Sequence, residues 1–190
     1  MLFRSHNVLR RSCYQQFSSQ TDDCRYKNMK YWLLKSEPDV FSYSHLSAAP
    51  ERRTVWDGVR NYQARNLLRD AVSVNDYAFF YHSSCKEPAI VGICRIVRTG
   101  LADPSQFNAQ SPYFDPKSDP ANPRWITVEV EAVTALPRPV TLKAMRQDSA
   151  LQEMALLNRA RLSVQPVSRT EWEHILQQAG LSAADISRFN

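Results

Sequence analysis

Glycine is scarce in this chain, with 4 in 190 residues against 11 prolines. The shortage excludes a collagen-like repeat and leaves no glycine-rich cradle for a nucleotide phosphate; neither G-x-G-x-x-G nor G-x-x-x-x-G-K-S/T occurs. Long apolar runs are missing as well. No stretch approaches the ~18 residues of a membrane-spanning helix, so no membrane partner is expected. The 4 cysteines, at positions 13, 24, 85 and 94, include no C-x-x-C pair, which argues for free thiols over a zinc site or a disulfide framework. Cys94, inside the apolar run Ile90–Cys94, reads as a small buried hydrophobe. The 4 histidines (His6, His45, His82 and His174) form neither H-x-x-x-H nor H-x-E, and no serine sits in G-x-S-x-G. Neither a metal nor another cofactor is expected.

The net charge of +5 is unevenly spread. Residues 1–30 carry Arg4, Arg10, Arg11, Arg25, Lys27 and Lys30 against Asp22 and Asp23, while the other 160 residues hold 18 bases and 17 acids. The globular part is therefore nearly neutral, and any contact with nucleic acid must come from a local cluster. Residues 1–21 contain no acid, three arginines and scattered apolar positions. That suits either a mitochondrial presequence over residues 1–28 or a basic, disordered tail, with Met29 as an alternative start that would leave the chain cytoplasmic. The domain expected is 30–180, after a leader at 1–29 and before a C-terminal tail at 181–190.

From residue 31 the signals are mostly those of strands: Tyr31–Lys35, Asp76–His82, Ala89–Val97 with Gly92 suggesting a bulge or close approach, Trp125–Val133 with strict alternation, and Arg161–Val167 with Pro166 marking an edge. Helices are expected at Asn61–Asp70, at Leu142–Gln147 capped by Thr141, at Leu151–Leu157, and from Ser168 to Gly180 behind an S-x-x-E capping box. Residues 103–124, rich in Pro, Asp and Asn, must form a long ordered loop. The class is α+β, a curved, partly closed sheet of five or six strands with short helices around it.

Three segments carry chemistry. Lys35-Ser36-Glu37-Pro38 is a strand ending in a polar corner. Trp56-Asp57-Gly58 sets an aromatic beside a carboxylate and a free backbone, which suits a planar, hydrogen-bonding ligand such as a nucleobase. The plainer alternative is that Trp56 covers the core beside a turn. Arg52, Arg53, Arg60, Arg65 and Arg69 share this stretch with Asp57 as its acid, and guanidinium groups take phosphate bidentately; a solvated helix face is the alternative. Tyr81 and His82 project to opposite faces, so at most one lines the same pocket unless the strand bulges. Lys35, Tyr81 and His82 could move protons if they converge.

Taken in order, Tyr31-Trp-Leu-Leu-Lys-Ser-Glu-Pro38, Trp56-Asp-Gly-Val-Arg-Asn-Tyr-Gln-Ala-Arg-Asn66, Phe80-Tyr-His-Ser83, Tyr113-Phe-Asp-Pro-Lys-Ser-Asp-Pro120, Asn122-Pro-Arg-Trp125 and Arg161-Leu-Ser-Val-Gln-Pro166 resemble the EVE-domain family. The resemblance implies a PUA-like curved, partly closed β-barrel, related to YTH readers and ASCH domains. It implies a monomeric, non-catalytic reader of a modified base, notably cytosine altered at C5 by a methyl or hydroxymethyl group, in DNA or RNA, acting in the nucleus. Carried over, Trp56 corresponds to the pocket aromatic, Lys35 and Ser36 to the floor, and Tyr81, with His82 beside it, to a wall. Glu37 and Asp57 are placed as acceptors for an exocyclic amine, Tyr113 and Phe114 as a lid, and Arg52, Arg53, Arg60 and Arg65 as phosphate contacts. Two other functions stay open: a nucleic-acid-processing enzyme, by relation to ASCH ribonucleases, and a protein-interaction module using the loop at 103–124.

Overall fold

A computed structural model describes residues 29–189; the leader reading of residues 1–28 lies outside the described residues. Strand β1 (Tyr31–Ser36) opens the fold, and its YWLL run shows no alternation because both of its faces are buried. It runs parallel to β3 (Tyr77–His82), in a register that sets Lys35 beside Tyr81 and Ser36 beside His82. β4 (Ala89–Ala102) and β5 (Ile126–Thr141) form a long antiparallel ribbon, and β2 (Arg53–Val55) and β6 (Val164–Val167) are short. The six strands join in the order β2-β5-β4-β3-β1-β6.

The α+β expectation therefore holds, but the sheet is open: its edge strands β2 and β6 do not pair with each other, where a partly closed barrel was expected. Those edges are three and four residues long, and β6 carries Pro166, so neither has a ladder with which to close. The long β4–β5 ribbon carries register shifts, including one between Ile90 and Gly92, of the kind that bulged strands show. The close approach expected at Gly92 is present, because a Cβ there would lie 2.4 Å from the Tyr43 ring.

One face of the sheet presents Trp32, Leu34 and Phe80 to the core beneath α1 (Tyr43–Ala48) and α2 (Tyr62–Asp70). On the other face Trp172 of α5 (Arg169–Gln178) stacks on Tyr31 and Phe79 at 4.7 and 4.0 Å. The capping box at Ser168 forms as expected, with Glu171 reaching back to the cap N–H. Between β5 and β6 lie α3 (Leu142–Gln147), capped by Thr141, and α4 (Ala155–Asn158); the helix expected over 151–157 is a 3-10 turn followed by that shorter helix. The tail at 181–190 is not loose where described. It forms α6 (Ala183–Ile186) and a final turn whose Phe189 meets Tyr77 edge-on at 5.3 Å.

The 103–124 loop is ordered from within. Buried Gln106 donates to the carbonyls of Asp103 and Trp125 at 2.8 and 2.9 Å, and its side-chain oxygen accepts from Trp125 N–H and the Ser118 hydroxyl. A buried amide so fully satisfied makes a long connection rigid.

Candidate functional site

At the carboxyl ends of β1 and β3, the parallel pair in the sheet, the chain forms a half-open cavity of about 760 Å³. Ligands commonly bind beyond the carboxyl ends of parallel strands, since the connections diverge there. Lys35, Ser36, Glu37, Trp56, Asp57, Tyr81 and Tyr113 all line it, and so does Arg60. Val55, Phe41 and Val59 contribute apolar wall beside the indole.

Trp56 occupies both positions its sequence left open. It is a core residue, 6% exposed, packed edge-to-face on Phe80 at 5.3 Å and on Phe41 at 6.5 Å. It is also a cavity wall. Its backbone is pinned on β5: its N–H donates to the Val128 carbonyl at 2.8 Å and its carbonyl accepts from the Thr127 hydroxyl. The four-tryptophan set divides by indole partner. Trp32 donates to buried Asp76 and Trp125 to Asp115, each at 2.8 Å, while the Trp172 N–H is sealed without a partner. The Trp56 N–H has no partner among the described residues and is not among the sealed donors, which leaves it facing accessible space.

Beside it stands Asp57. Partial burial, followed by the nearby Asp103 charge, pushes its carboxyl above the ordinary range, so part of its ionisation cost is met by the fold. The Lys35 ammonium is pulled below its usual value by burial and donates to the Ala160 carbonyl at 2.9 Å, tying β1 to the turn before β6. Burial raises the Tyr81 phenol to about 12, which keeps it a neutral donor or acceptor. Ser36 is committed locally: its hydroxyl donates to the Phe41 carbonyl at 2.6 Å and closes the Glu37–Phe41 turn.

His82 does not join the cavity. Its Nε2 accepts the Tyr43 N–H at 3.1 Å, capping the first turn of α1, and burial lowers its pKa. The shift in strand register after Phe80 does not bring it round to the side of Tyr81, so Lys35, Tyr81 and His82 do not converge.

The arginines expected to hold phosphate are committed elsewhere. Arg60 pairs with Asp103 at 2.7 Å, an acid only 1% exposed, and also donates to Ser105 and the Tyr113 carbonyl. Its guanidinium lies 5.2 Å from the Trp125 ring and 5.5 Å from that of Tyr113, so it stands inside the structure as a bolt between loops. Arg65 donates to the Arg124 carbonyl at 2.6 Å and lies over Tyr62. Arg53 pairs with Glu51 and Glu131, and Arg52 donates to the Val133 carbonyl; neither lines the cavity. Tyr113 is held at the rim by Arg60 and rests on Gly58, where a Cβ would lie 2.7 Å from its ring. Phe114 is exposed and does not line the cavity.

Sequence reasoning missed Arg146 and Arg161, which also line the cavity, as do Leu142, Leu156 and Ala160. They are remote in sequence from Trp56, and only the fold brings them to it. Among the described residues, no three or more His, Cys, Asp or Glu side chains gather as a metal site, and no helix is long and apolar enough to cross a membrane.

These features, a mixed sheet with a roomy cavity at its parallel strand ends, belong to a recognised class. Residues 30–178 match the EVE domain, and the chain belongs to that family. It is 39% identical to human thymocyte nuclear protein 1 over 178 residues, covering 85% of this chain and 79% of that protein. Among solved structures, human THYN1 protein in complex with 5-methylcytosine containing DNA superposes with a TM-score of 0.76 at 39% identity, covering 80% of this chain and 99% of that one. A protein from Pseudomonas syringae superposes with a TM-score of 0.74 at 42% identity, covering 78% and 99%.

Proposed function

We propose that the cavity receives one base of a nucleic acid strand and that the protein is a non-catalytic reader of cytosine modified at C5. The carrying observation is the cavity itself. An unpartnered, accessible indole N–H and two carboxylates, Asp57 and Glu37, share about 760 Å³ with an apolar wall. A cytosine edge offers an exocyclic amine to a carboxylate and acceptors to an N–H, and a C5 methyl seeks apolar contact. The relative bound to 5-methylcytosine DNA supports the same reading.

Because the Trp56 ring is packed on Phe80 and Phe41, it acts through its edge and its remaining exposed surface more than as an open stacking plate. Drawing the base from a duplex costs a few kcal/mol and less from a single strand, so single-stranded or distorted sites are favoured. The protein acts as a monomer, and it acts in the nucleus, the latter in keeping with the name thymocyte nuclear protein 1 of its relatives.

Trp56→Ala is a poor test, since deleting a core indole costs about 3–5 kcal/mol in stability. Asp57→Asn and Tyr81→Phe alter the cavity with little loss of packing. Fluorescence anisotropy with 5-methylcytosine, unmodified and abasic oligonucleotides should show the parent favouring the modified strand, and Asp57→Asn should weaken both cytosine strands toward the abasic one, since the exocyclic amine is common to both. A parent that does not distinguish modified from unmodified cytosine, or cytosine binding unchanged in both variants, overturns the reading.

A further inference from the structure

Arg161 and Asn61 line the cavity and, from their other side, a second and more open depression of about 350 Å³ completed by Gln63, Arg159 and Leu162. We infer that this depression is a phosphodiester subsite, which holds the backbone of the nucleotide next to the base in the cavity. The inference rests on the cavity being a base site and adds where the strand leaves it.

The two arginines, like Arg146 and unlike the group around Arg60, are unengaged. Among the described residues neither Arg159 nor Arg161 makes an ion pair or a side-chain hydrogen bond, and both are exposed. A free guanidinium offers five donors in a planar fork, matched to two phosphate oxygens. Gln63 adds an amide to the lining, and Asn61, whose Oδ1 accepts the Ala64 N–H to cap α2, adds its amide N–H groups.

The turn that carries both arginines is fixed. Buried Gln165 donates to the carbonyls of Arg159 and Leu162 at 2.7 and 3.0 Å, the Leu162 N–H returns to the Arg159 carbonyl, and Lys35 holds Ala160 from β1. Backbone ordering is thus complete before a ligand arrives, and only the side chains need settle. This also gives Lys35 a place: it joins the cavity floor to the arginine turn, as a positioning residue.

The geometry relates the two sites. Consecutive phosphates along a strand lie within reach of one another, and the cavity and the depression have two lining residues in common, Asn61 and Arg161. A base seated against Trp56 therefore places its flanking phosphodiester at Arg161, with Arg159 beyond it.

The test uses the full chain, the double variant Arg159→Gln/Arg161→Gln, and Arg169→Gln as a control at the opposite end of β1 from the cavity. Labelled single strands are titrated over a salt series: one with 5-methylcytosine, its unmodified counterpart, one with an abasic residue in place of the modified base, and an RNA of the same sequence. The expected result is roughly tenfold weaker binding of the double variant at low salt, with the slope of log affinity against log salt shallower by about 1.4, which is two contacts on a single strand. The loss should persist on the abasic strand and leave the ratio of modified to unmodified affinity as in the parent. Loss on DNA, on RNA or on both supports the subsite and names the strand. An unchanged slope on every strand, or a loss no greater than that of Arg169→Gln, overturns it. Failure of the base reading shows separately, as a parent that does not distinguish modified from unmodified cytosine.

Discussion

The arginines between 52 and 65 and those between 146 and 161 carry the same charge and opposite work. The first group is engaged, although Arg53 Nε is buried without a partner: Arg60 spans Asp103, Ser105 and the Tyr113 carbonyl, Arg65 reaches the Arg124 carbonyl, Arg53 sits between two glutamates, and Arg52 donates to the Val133 carbonyl. The second group, Arg146, Arg159 and Arg161, surrounds the cavity and its neighbour with no acidic partner among the described residues. Local charge in the sequence pointed to the first. What decides is the number of donors left over after folding, and that is set by residues such as Asp103 and Tyr113 which lie far along the chain.

The contrast can be broken most forcefully at Arg60. Arg60→Gln leaves Asp103 buried and unpaired, and should cost about 3 kcal/mol in urea unfolding; a variant as stable as the parent would place Arg60 among the free cations. Gly58→Ala comes next. Gly58 has φ +78 and no room for a Cβ under Tyr113, so about 1–2 kcal/mol should be lost and the Tyr113 ring freed, visible as higher tyrosine accessibility to quenchers. In the second group Arg146→Gln should shift stability by no more than about 0.5 kcal/mol while weakening oligonucleotide binding.

The smallest effect concerns Asp57. Below its ordinary value of 3.8 the carboxyl is protonated in the folded and unfolded chain alike. As pH rises through 3.8 the unfolded chain ionises first, because the folded value is raised, so this contribution to stability is lost as pH climbs through the folded value. Asp57→Asn should therefore leave thermal unfolding unchanged near pH 3 and raise stability slightly at pH 7, by about 0.5 kcal/mol or less. A gain at low pH that vanished at neutral pH would contradict the sign.

Much of the fold was legible because burial and alternation leave direct traces. β5 shows its alternation in Ile126–Val133, and α5 announces itself with Ser168 and Glu171. α1 was not legible: its capping box uses His45 in place of Glu or Gln, and the helix is only six residues long. β2 was hidden as well, three residues beginning at an arginine whose pairing with Glu129–Glu131 is entirely non-local. Openness of the sheet could not be read from strand count, since it depends on the lengths of its two edges. At the site, Trp56, Asp57, Lys35 and Tyr81 stood out in three separate segments, and it was the family resemblance that set them in one pocket. The separate employment of His82, and the approach of Arg146 and Arg161, depend on contacts made between distant segments.

The account turns on the Trp56 indole N–H meeting a base. Its nitrogen-15 resonance, assigned by its disappearance in Trp56→Phe, can be followed while the full chain is titrated with a single strand containing 5-methylcytosine. The signal should move and saturate together with overall binding, and should move only at higher concentrations of the unmodified strand. An indole signal that stays in place while the strand binds to saturation would contradict the account.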